Sequence, residues 1–243
     1  LGYDTITNNL SESSVADRKL SDLGLDLDLD DLVLCYGDHL GDPLLREAVA
    51  AGGEGVDVEH VGEGLAGVGV GDFNNDGLQD LYFTGNVVPD RIYINKGNMQ
   101  FDDITAKSGI NQKPGWSTGV TVVDVNEDGF KDIYVCRARF EDPVKRRNLL
   151  YINNGDLTFT EKAEEYGLAD DSYSTHANFF DADNDGDLDA YVVNWYNEDN
   201  LFYLNDGSGH FTQVVGTVSD SNGYSETAAW GDYDNDGQLD LYV

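Results

Sequence analysis

Apolar and polar residues alternate along three segments of the chain in the way expected of antiparallel β-hairpins. These segments are RIYINKGNMQFDDIT (91–105), NLLYINNGDLTFTEKA (148–163) and NLFYLNDGSGHFTQV (200–214). Each contains an Asn-x-Gly turn, and both Asn and Gly tolerate the positive φ that a tight reversal requires. The sequence therefore predicts three hairpins of similar design.

Two more short strands are predicted in each repeat. The runs GLAGVGVG, WSTGVTVV, YSTHANFF and YSETAAWG each lead into an acidic segment, and the runs LYF, IYV, AYV and LYV follow it. β-Branched and aromatic residues dominate these runs, which favours strands. Each complete unit then reads as strand, acidic loop, strand and hairpin. Four strands per unit is typical of a propeller blade.

The acidic segments are four copies of one nine-residue loop. They are DFNNDGLQD (72–80), DVNEDGFKD (124–132), DADNDGDLD (181–189) and DYDNDGQLD (232–240). Their starting positions recur at intervals of about fifty residues, a period that indicates repeated supersecondary units. The sequence thus predicts repeated blades and no single irregular core.

Oxygen-bearing side chains at positions 1, 3 and 5 of such a loop converge on one point, which suits a hard cation. Without a cation, each pair of carboxylates about 4 Å apart costs on the order of 1–4 kcal/mol. An EF-hand is excluded, because that motif needs a Glu at position 12 and flanking helices. Val192 stands at position 12 of the third loop, inside the strand-like run AYVV.

The stretches GDFNNDGLQDLYFTGN, RIYINKGNMQFDDIT and NLLYINNGDLTFTEKAEEYGLAD resemble FG-GAP/VCBS repeats. These are the calcium-binding blades of integrin α-subunit heads and of many bacterial surface proteins, and the likeness is greatest to bacterial cartilage-acidic-protein-like proteins. The resemblance covers roughly residues 60–243. It implies an all-β, seven-bladed propeller with calcium in the loop that joins the first two strands of a blade.

The chain holds three complete blades and half of a fourth, at about 60–110, 111–168, 169–220 and 221–243. Closed propellers need about four to eight blades. We therefore expect an incomplete propeller that forms an open arc, and we interpret the sequence as a fragment.

We expect up to four Ca²⁺ ions, held by side chains at positions 1, 3, 5 and 9 and by the backbone carbonyl of position 7. Magnesium demands stricter octahedral geometry, and zinc would require His or Cys. The first two loops carry Asn at position 3, so they should bind calcium more weakly. The expected ligands are Asp72, Asn74, Asp76, Leu78 and Asp80; Asp124, Asn126, Asp128, Phe130 and Asp132; Asp181, Asp183, Asp185, Asp187 and Asp189; and Asp232, Asp234, Asp236, Gln238 and Asp240.

Charge and hydropathy narrow the range of functions. The chain has 47 acidic and 14 basic residues, for a net charge of −33. This charge argues against nucleic-acid binding, which uses basic patches. No apolar run is long enough to span a membrane as a helix. Weak calcium sites are typical of extracellular modules, so the expected location is extracellular, at the cell surface or periplasmic.

A candidate ligand face is formed by aromatic residues at one repeated position. Trp116, Tyr173 and Tyr224 each lie eight residues before the first aspartate of their loop. Such a ring would suit a protein or carbohydrate ligand, because aromatic side chains dominate binding hot spots. Packing between blades is the alternative. His176, in the first strand of a blade, is a further candidate because that strand lines a propeller's central channel.

Residues 1–59 do not match the repeats. DPLLREAVAAGG (42–53) predicts a helix near 43–51, with Asp42 as its N-cap. The stretch YGDHLGDPLLREAVA weakly resembles a segment of fold-type I aminotransferases, and an ordinary N-terminal extension is an equal alternative. The two cysteines, Cys35 and Cys136, form no disulfide framework, and we expect Cys136 to be a buried thiol.

Together these features predict a non-catalytic, calcium-binding module for extracellular adhesion to a protein or glycan. No nucleophile or Glu-x-x-His arrangement is present around the histidines. Two alternatives remain open. One is the scaffold of a propeller enzyme whose active site lies in blades or domains missing from this fragment, and the other is a structural spacer beside a functional domain.

Overall fold

The computed structural model describes residues 65–86, 88–110, 115–139, 141–216, 225 and 227–242. The predicted helix near 43–51, Cys35 and Tyr224 lie outside these residues. In the described part of the chain no helix is both long and apolar enough to cross a membrane.

The described strands form three four-stranded blades and part of a fourth. Each complete blade has its strands in chain order, and every neighbouring pair is antiparallel. Blade 1 consists of β1 (Leu65–Gly71), β2 (Asp80–Gly85), β3 (Arg91–Asn95) and β4 (Phe101–Asp103); blade 2 of β5 (Ser117–Val123), β6 (Asp132–Arg137), β7 (Leu149–Asn153) and β8 (Phe159–Glu161); blade 3 of β9 (Ser174–Phe180), β10 (Asp189–Asn194), β11 (Leu201–Asn205) and β12 (Phe211–Val214); and partial blade 4 of β13 (Ala229–Gly231) and β14 (Asp240–Tyr242).

This arrangement confirms the predicted fold, an incomplete propeller of four-stranded blades. Two one-turn helices were not predicted: α1 (Pro143–Arg146), between β6 and β7, and α2 (Ala163–Tyr166), after β8. Asp142 caps α1 by accepting the Val144 N–H, and Pro143 occupies its first turn.

The apolar core lies between successive blades. One buried cluster joins blade 2 to blade 3 and includes Tyr134, Cys136 and Val192, and Cys136 is a buried free thiol, as predicted. A second cluster joins blade 1 to blade 2 around Phe73 and Tyr151. Burial of faces between neighbours is what holds a repeat architecture together.

The alternating glycines of β1 allow the first two blades to approach closely. A Cβ atom added at Gly69 would lie 2.9 Å from a methyl group of Val122, and one added at Gly71 would lie 2.6 Å from another methyl of the same side chain. The GVGVG run therefore presents backbone to the valines of β5 on one face. Val68 and Val70 are exposed on the other face.

A buried polar link recurs where each blade meets the next. Asn148, which precedes β7, donates from Nδ2 to the hydroxyl of Tyr134 at 3.0 Å and to that of Ser174 in the next blade at 2.8 Å. Asn200 makes the same contacts with Tyr191 and Ser225, both at 3.2 Å. The serines that follow the repeated aromatic positions thus join neighbouring blades.

Candidate metal centres

Each acidic loop joins the first and second strands of its blade. The four loops connect β1 to β2, β5 to β6, β9 to β10 and β13 to β14, so all of them lie at the same end of their strand pairs. The two strands on either side are paired up to the loop, with Gly71 opposite Asp80 and Val123 opposite Asp132. Strand pairing therefore fixes both ends of every loop.

The carboxylate at position 1 organises the loop backbone. In the first loop Asp72 accepts the N–H of Asp76 at 3.1 Å and that of Gly77 at 2.7 Å. The same two bonds recur in the other three loops at 3.0–3.1 Å. The side chains at positions 3 and 5 also accept N–H groups of the loop, and the residue at position 7 donates its N–H to position 5.

Two loop positions have positive φ. The expected one is the glycine at position 6, with φ between 86° and 103° in Gly77, Gly129, Gly186 and Gly237. The second is position 4, where Asn75, Glu127, Asn184 and Asn235 have φ of 57–62°. The positive φ at position 4 was not predicted. Three asparagines there were a usable signal, because Asn adopts the left-handed region more readily than most residues.

The aspartate at position 9 is the most enclosed acid of each complete blade. Asp80, Asp132 and Asp189 are at most 1% exposed. Asp132 accepts the N–H of Val125 at 2.9 Å and that of Asn153 at 2.8 Å. Burial raises the pKa of Asp132 to about 7, although these two hydrogen bonds act in the opposite direction and lower it. Burial also raises the pKa values of Asp80 and Asp189.

The asparagine of each Asn-x-Gly turn clamps the loop to the hairpin. The N–H groups of Asn95, Asn153 and Asn205 each donate to the position-9 carboxylate, and their Nδ2 atoms donate to the carbonyl of position 8. Asn153 also donates to the carbonyl of Phe73, in the loop of blade 1. These residues were predicted only as part of a turn. Their recurrence after every complete loop was the signal for a second role.

The later loops bring three carboxylates together. Ligand oxygens of Asp181, Asp183 and Asp185 lie within 4.8 Å of one another, as do those of Asp232, Asp234 and Asp240. In the first two loops the position-3 amide bridges instead, with Asn74 donating to Asp76 at 3.0 Å and Asn126 to Asp128 at 2.9 Å. The donor set is entirely oxygen, which fits a hard divalent cation such as calcium.

The family of the chain follows from its sequence as well as from this geometry. The profile of the FG-GAP-like repeat matches residues 62–135, 143–192 and 181–243, which together cover most of the chain. The chain belongs to the FG-GAP-like repeat family. The matched ranges contain all four acidic loops, so family membership and loop geometry concern the same residues.

Two curated relatives of this FG-GAP chain are similar over most of its length. Both are named cartilage acidic protein 1. The Xenopus tropicalis protein is 26% identical over 74% of this chain and 28% of its own length. The human protein is 26% identical over 66% of this chain and 25% of its own length. The chain thus spans about a quarter of each relative.

The candidate ligand face of the FG-GAP blades is assembled at the opposite end from the loops. Trp116 and Tyr173 lie immediately before β5 and β9, half-buried, each against an arginine. His176 lies separately, in β9, in an open groove lined by β1, β5 and β9. Burial lowers the pKa of His176, which favours the neutral imidazole. The structure therefore does not bring His176 and the two aromatic residues into one site.

Proposed function

We propose that this chain is a calcium-stabilised propeller module that binds a protein or carbohydrate partner outside the cytoplasm. We assign the blades to residues 60–243 and place residues 1–59 outside the repeats. Membership of the FG-GAP-like repeat family supports a binding or adhesion role. The extracellular assignment draws on the two relatives as well, because their name refers to cartilage, a tissue rich in extracellular matrix.

The observation that carries the calcium part of the proposal is the repeated carboxylate cluster. Asp181, Asp183 and Asp185 would repel one another in the absence of a cation. The backbone around them is already fixed by N–H bonds to Asp181 and Asp185, so binding requires little reordering. The proposed ligands are the residues at positions 1, 3, 5 and 9 and the backbone carbonyl of position 7 in all four loops.

A bound ion would neutralise the carboxylates and hold the first two strands of a blade together. Through Asp132 and Asn153 it would also act on the hairpin, because the loop and β7 share those hydrogen bonds. The bond from Asn153 to Phe73 extends this connection to the neighbouring blade. Calcium should therefore stiffen whole blades. The end of the blades opposite the acidic loops would then be presented to a partner on a rigid support.

Calorimetric titration with Ca²⁺, with thermal melts in calcium and in excess chelator, tests this function. We expect several weak sites, on the order of 10⁻⁴ to 10⁻³ M, and a Tm that rises with calcium. Titration with Mg²⁺ is the control and should give a smaller shift in Tm. Overlaid melts and no heat of calcium binding would show that the loops are only acidic turns. The propeller-enzyme hypothesis would then have to be reconsidered.

A further inference from the structure

Arginine and aromatic side chains interleave at the end of the blades away from the acidic loops. We call Trp116, Arg139, Arg146, Tyr173 and Tyr196 the Arg–aromatic strip. The Arg139 Cζ atom lies 3.9 Å from the centroid of the Trp116 ring, and the Arg146 Cζ lies 4.4 Å from that of Tyr173. The rings of Tyr173 and Tyr196 are 4.9 Å apart.

Equivalent positions of blades 2 and 3 build most of this strip. Trp116 precedes β5 and Tyr173 precedes β9, while Arg139 and Tyr196 each follow the second strand of their blade by two residues. Arg139 and Tyr196 both have positive φ, 71° and 58°, which turns them back towards the aromatic residue. Backbone bonds fix the pairing: Ala138 N–H donates to Trp116 at 3.0 Å and Trp195 N–H to Tyr173 at 2.9 Å.

Arg146 connects the two halves of the strip across the boundary between blades. It belongs to α1 of blade 2, yet its guanidinium lies over Tyr173 of blade 3. The Nε atom of Arg146 donates to the carbonyl of Asp171, and one terminal nitrogen donates to that of Glu141 at 3.1 Å. The guanidinium is therefore held in place on both blades.

The strip gathers basic residues in an acidic protein, and carboxylates are interspersed with them: Asp142 caps α1, and Glu198 accepts the Tyr173 N–H. Residues 137–147 contain five of the 14 basic residues of the chain. Arg139 is exposed, and no carboxylate within the described ranges forms an ion pair with it. Behind it, Arg137 is buried against Gly115, and its Nε has no hydrogen-bond partner among those residues. The charge of Arg137 acts on the buried Asp90, so the exposed Arg139 is the group that favours an anion over a cation as the ligand.

The acidic loops lie too far away to cancel this local charge. A strand of seven residues such as β5 is about 23 Å long. The Debye length at physiological ionic strength is about 8 Å, so the loop carboxylates are largely screened at the strip. Stacking on the Trp116 ring also fixes the plane of the Arg139 guanidinium while leaving its N–H edges open to a carboxylate or sulfate oxygen.

We propose that the Arg–aromatic strip binds a linear acidic polysaccharide, with carboxylate or sulfate groups on Arg139 and Arg146. The inference rests on the proposed binding function and names its ligand class and place. The basic and aromatic groups extend over two successive blades, which suits a polymer whose charges also repeat. Tyr196 is 52% exposed and offers a ring to an apolar sugar face.

Binding of the calcium-loaded 243-residue chain to heparin and to hyaluronan tests the proposal. Neutral dextran and poly-aspartate serve as comparison ligands, all at physiological salt. We expect heparin or hyaluronan to bind, and Arg139→Gln with Arg146→Gln to weaken binding by about tenfold or more. Lys96→Gln removes one positive charge, as each of the two arginine changes does, but from an exposed hairpin at the loop end, and should leave affinity within about twofold.

Arg139→Lys separates stacking from charge. It keeps the positive charge but loses the planar group above Trp116, and we expect a loss of affinity of several-fold. Equal affinity of the Lys variant would overturn the role given to the stack. Equal or tighter binding of poly-aspartate would overturn the polysaccharide class.

A calcium titration of each variant distinguishes this inference from the proposed function. An unchanged titration shows that the blades are intact and that any loss of affinity belongs to the strip. Absence of polysaccharide binding by a protein that still binds calcium would refute the strip proposal and leave the calcium module standing. Absence of calcium binding in the parent chain would instead refute the module.

Discussion

At the scale of single residues, Asp90 is the exception among the links between blades. It stands where the other blades have Asn148 and Asn200, and it accepts from the Tyr82 hydroxyl at 2.9 Å and the Ser117 hydroxyl at 3.2 Å. It also accepts the Gly85 N–H at 2.7 Å. Burial raises the pKa of Asp90 above its ordinary value. The three hydrogen bonds and the nearby Arg137 lower this pKa, but their effect is smaller than that of burial.

Asp90→Asn should therefore remove a pH-dependent destabilisation of the folded state. An acid with a raised folded-state pKa binds more protons when folded, so its contribution to stability falls as the pH rises above about 4 and levels off above the folded pKa. We expect the variant to be about 1 kcal/mol more stable at pH 7 and to show a shallower decline between pH 4 and 7. Denaturant unfolding across that range, with the reverse variant Asn148→Asp as comparison, measures both. A steeper decline in Asp90→Asn would contradict this account.

The hydrogen bonds of Asn153 lead to a second prediction, which concerns the free energy of unfolding. Its side chain donates to Lys131 at 3.1 Å and to Phe73 of blade 1 at 2.9 Å, whereas Asn205 donates within its own blade to Leu188. Asn153→Ala leaves two carbonyls without this donor, so we expect a loss of about 2 kcal/mol. Asn205→Ala should cost about half as much. Chemical unfolding of both variants in calcium compares them, and equal losses would refute a role of the Asn153 link between blades.

At the scale of the element, the loops differ by one charge at position 3. Asn126 donates to Asp128 at 2.9 Å, while Asp183 lies among other carboxylates. Asn126→Asp adds a charged ligand, so calcium affinity at that loop should rise about tenfold. It also loses the amide bridge and adds repulsion, so stability in chelator should fall.

Asp183→Asn is the matched change in the opposite direction. Calcium affinity of the third loop should fall, and the melting temperature in chelator should rise. Calorimetry measures the first quantity and thermal melts the second. If calcium affinity and the melting temperature in chelator both rise or both fall in one variant, the charge at position 3 does not govern the behaviour of the loop.

The same loops show which features can be predicted from sequence. Strand, loop and hairpin were predictable because apolar alternation and Asn-x-Gly turns are local signals. Glu127 shows the limit: it adopts positive φ at position 4 although Glu rarely does so, because the bonds around it set the backbone. The contact of Arg146 with Tyr173 could not be predicted from the sequence either. It depends on how one blade is placed against the next, which no local pattern records.

At the scale of the whole module, the clusters found in the described residues join neighbouring blades. Thr118 of blade 2 donates to Ser174 of blade 3 at 2.7 Å, and Thr121 donates to Ala177 at 2.6 Å. Blade 4 meets blade 3 mainly through Trp230. The centroid of its ring lies 4.0 Å from that of the Phe180 ring. In such an arrangement each blade is only as stable as its own strands and its adjoining faces.

Removal of calcium should therefore open the module unevenly. The residues of β13 and β14 are exposed or half-buried, whereas β6 and β10 are buried throughout. In chelator we expect amides of β13–β14 to exchange hydrogen fastest, those of β10 more slowly and those of β6 slowest. Calcium should slow exchange in all of them, because each strand adjoins an acidic loop. Hydrogen exchange followed by mass spectrometry gives this order, and simultaneous exchange of all three would mean that the module unfolds as one cooperative unit.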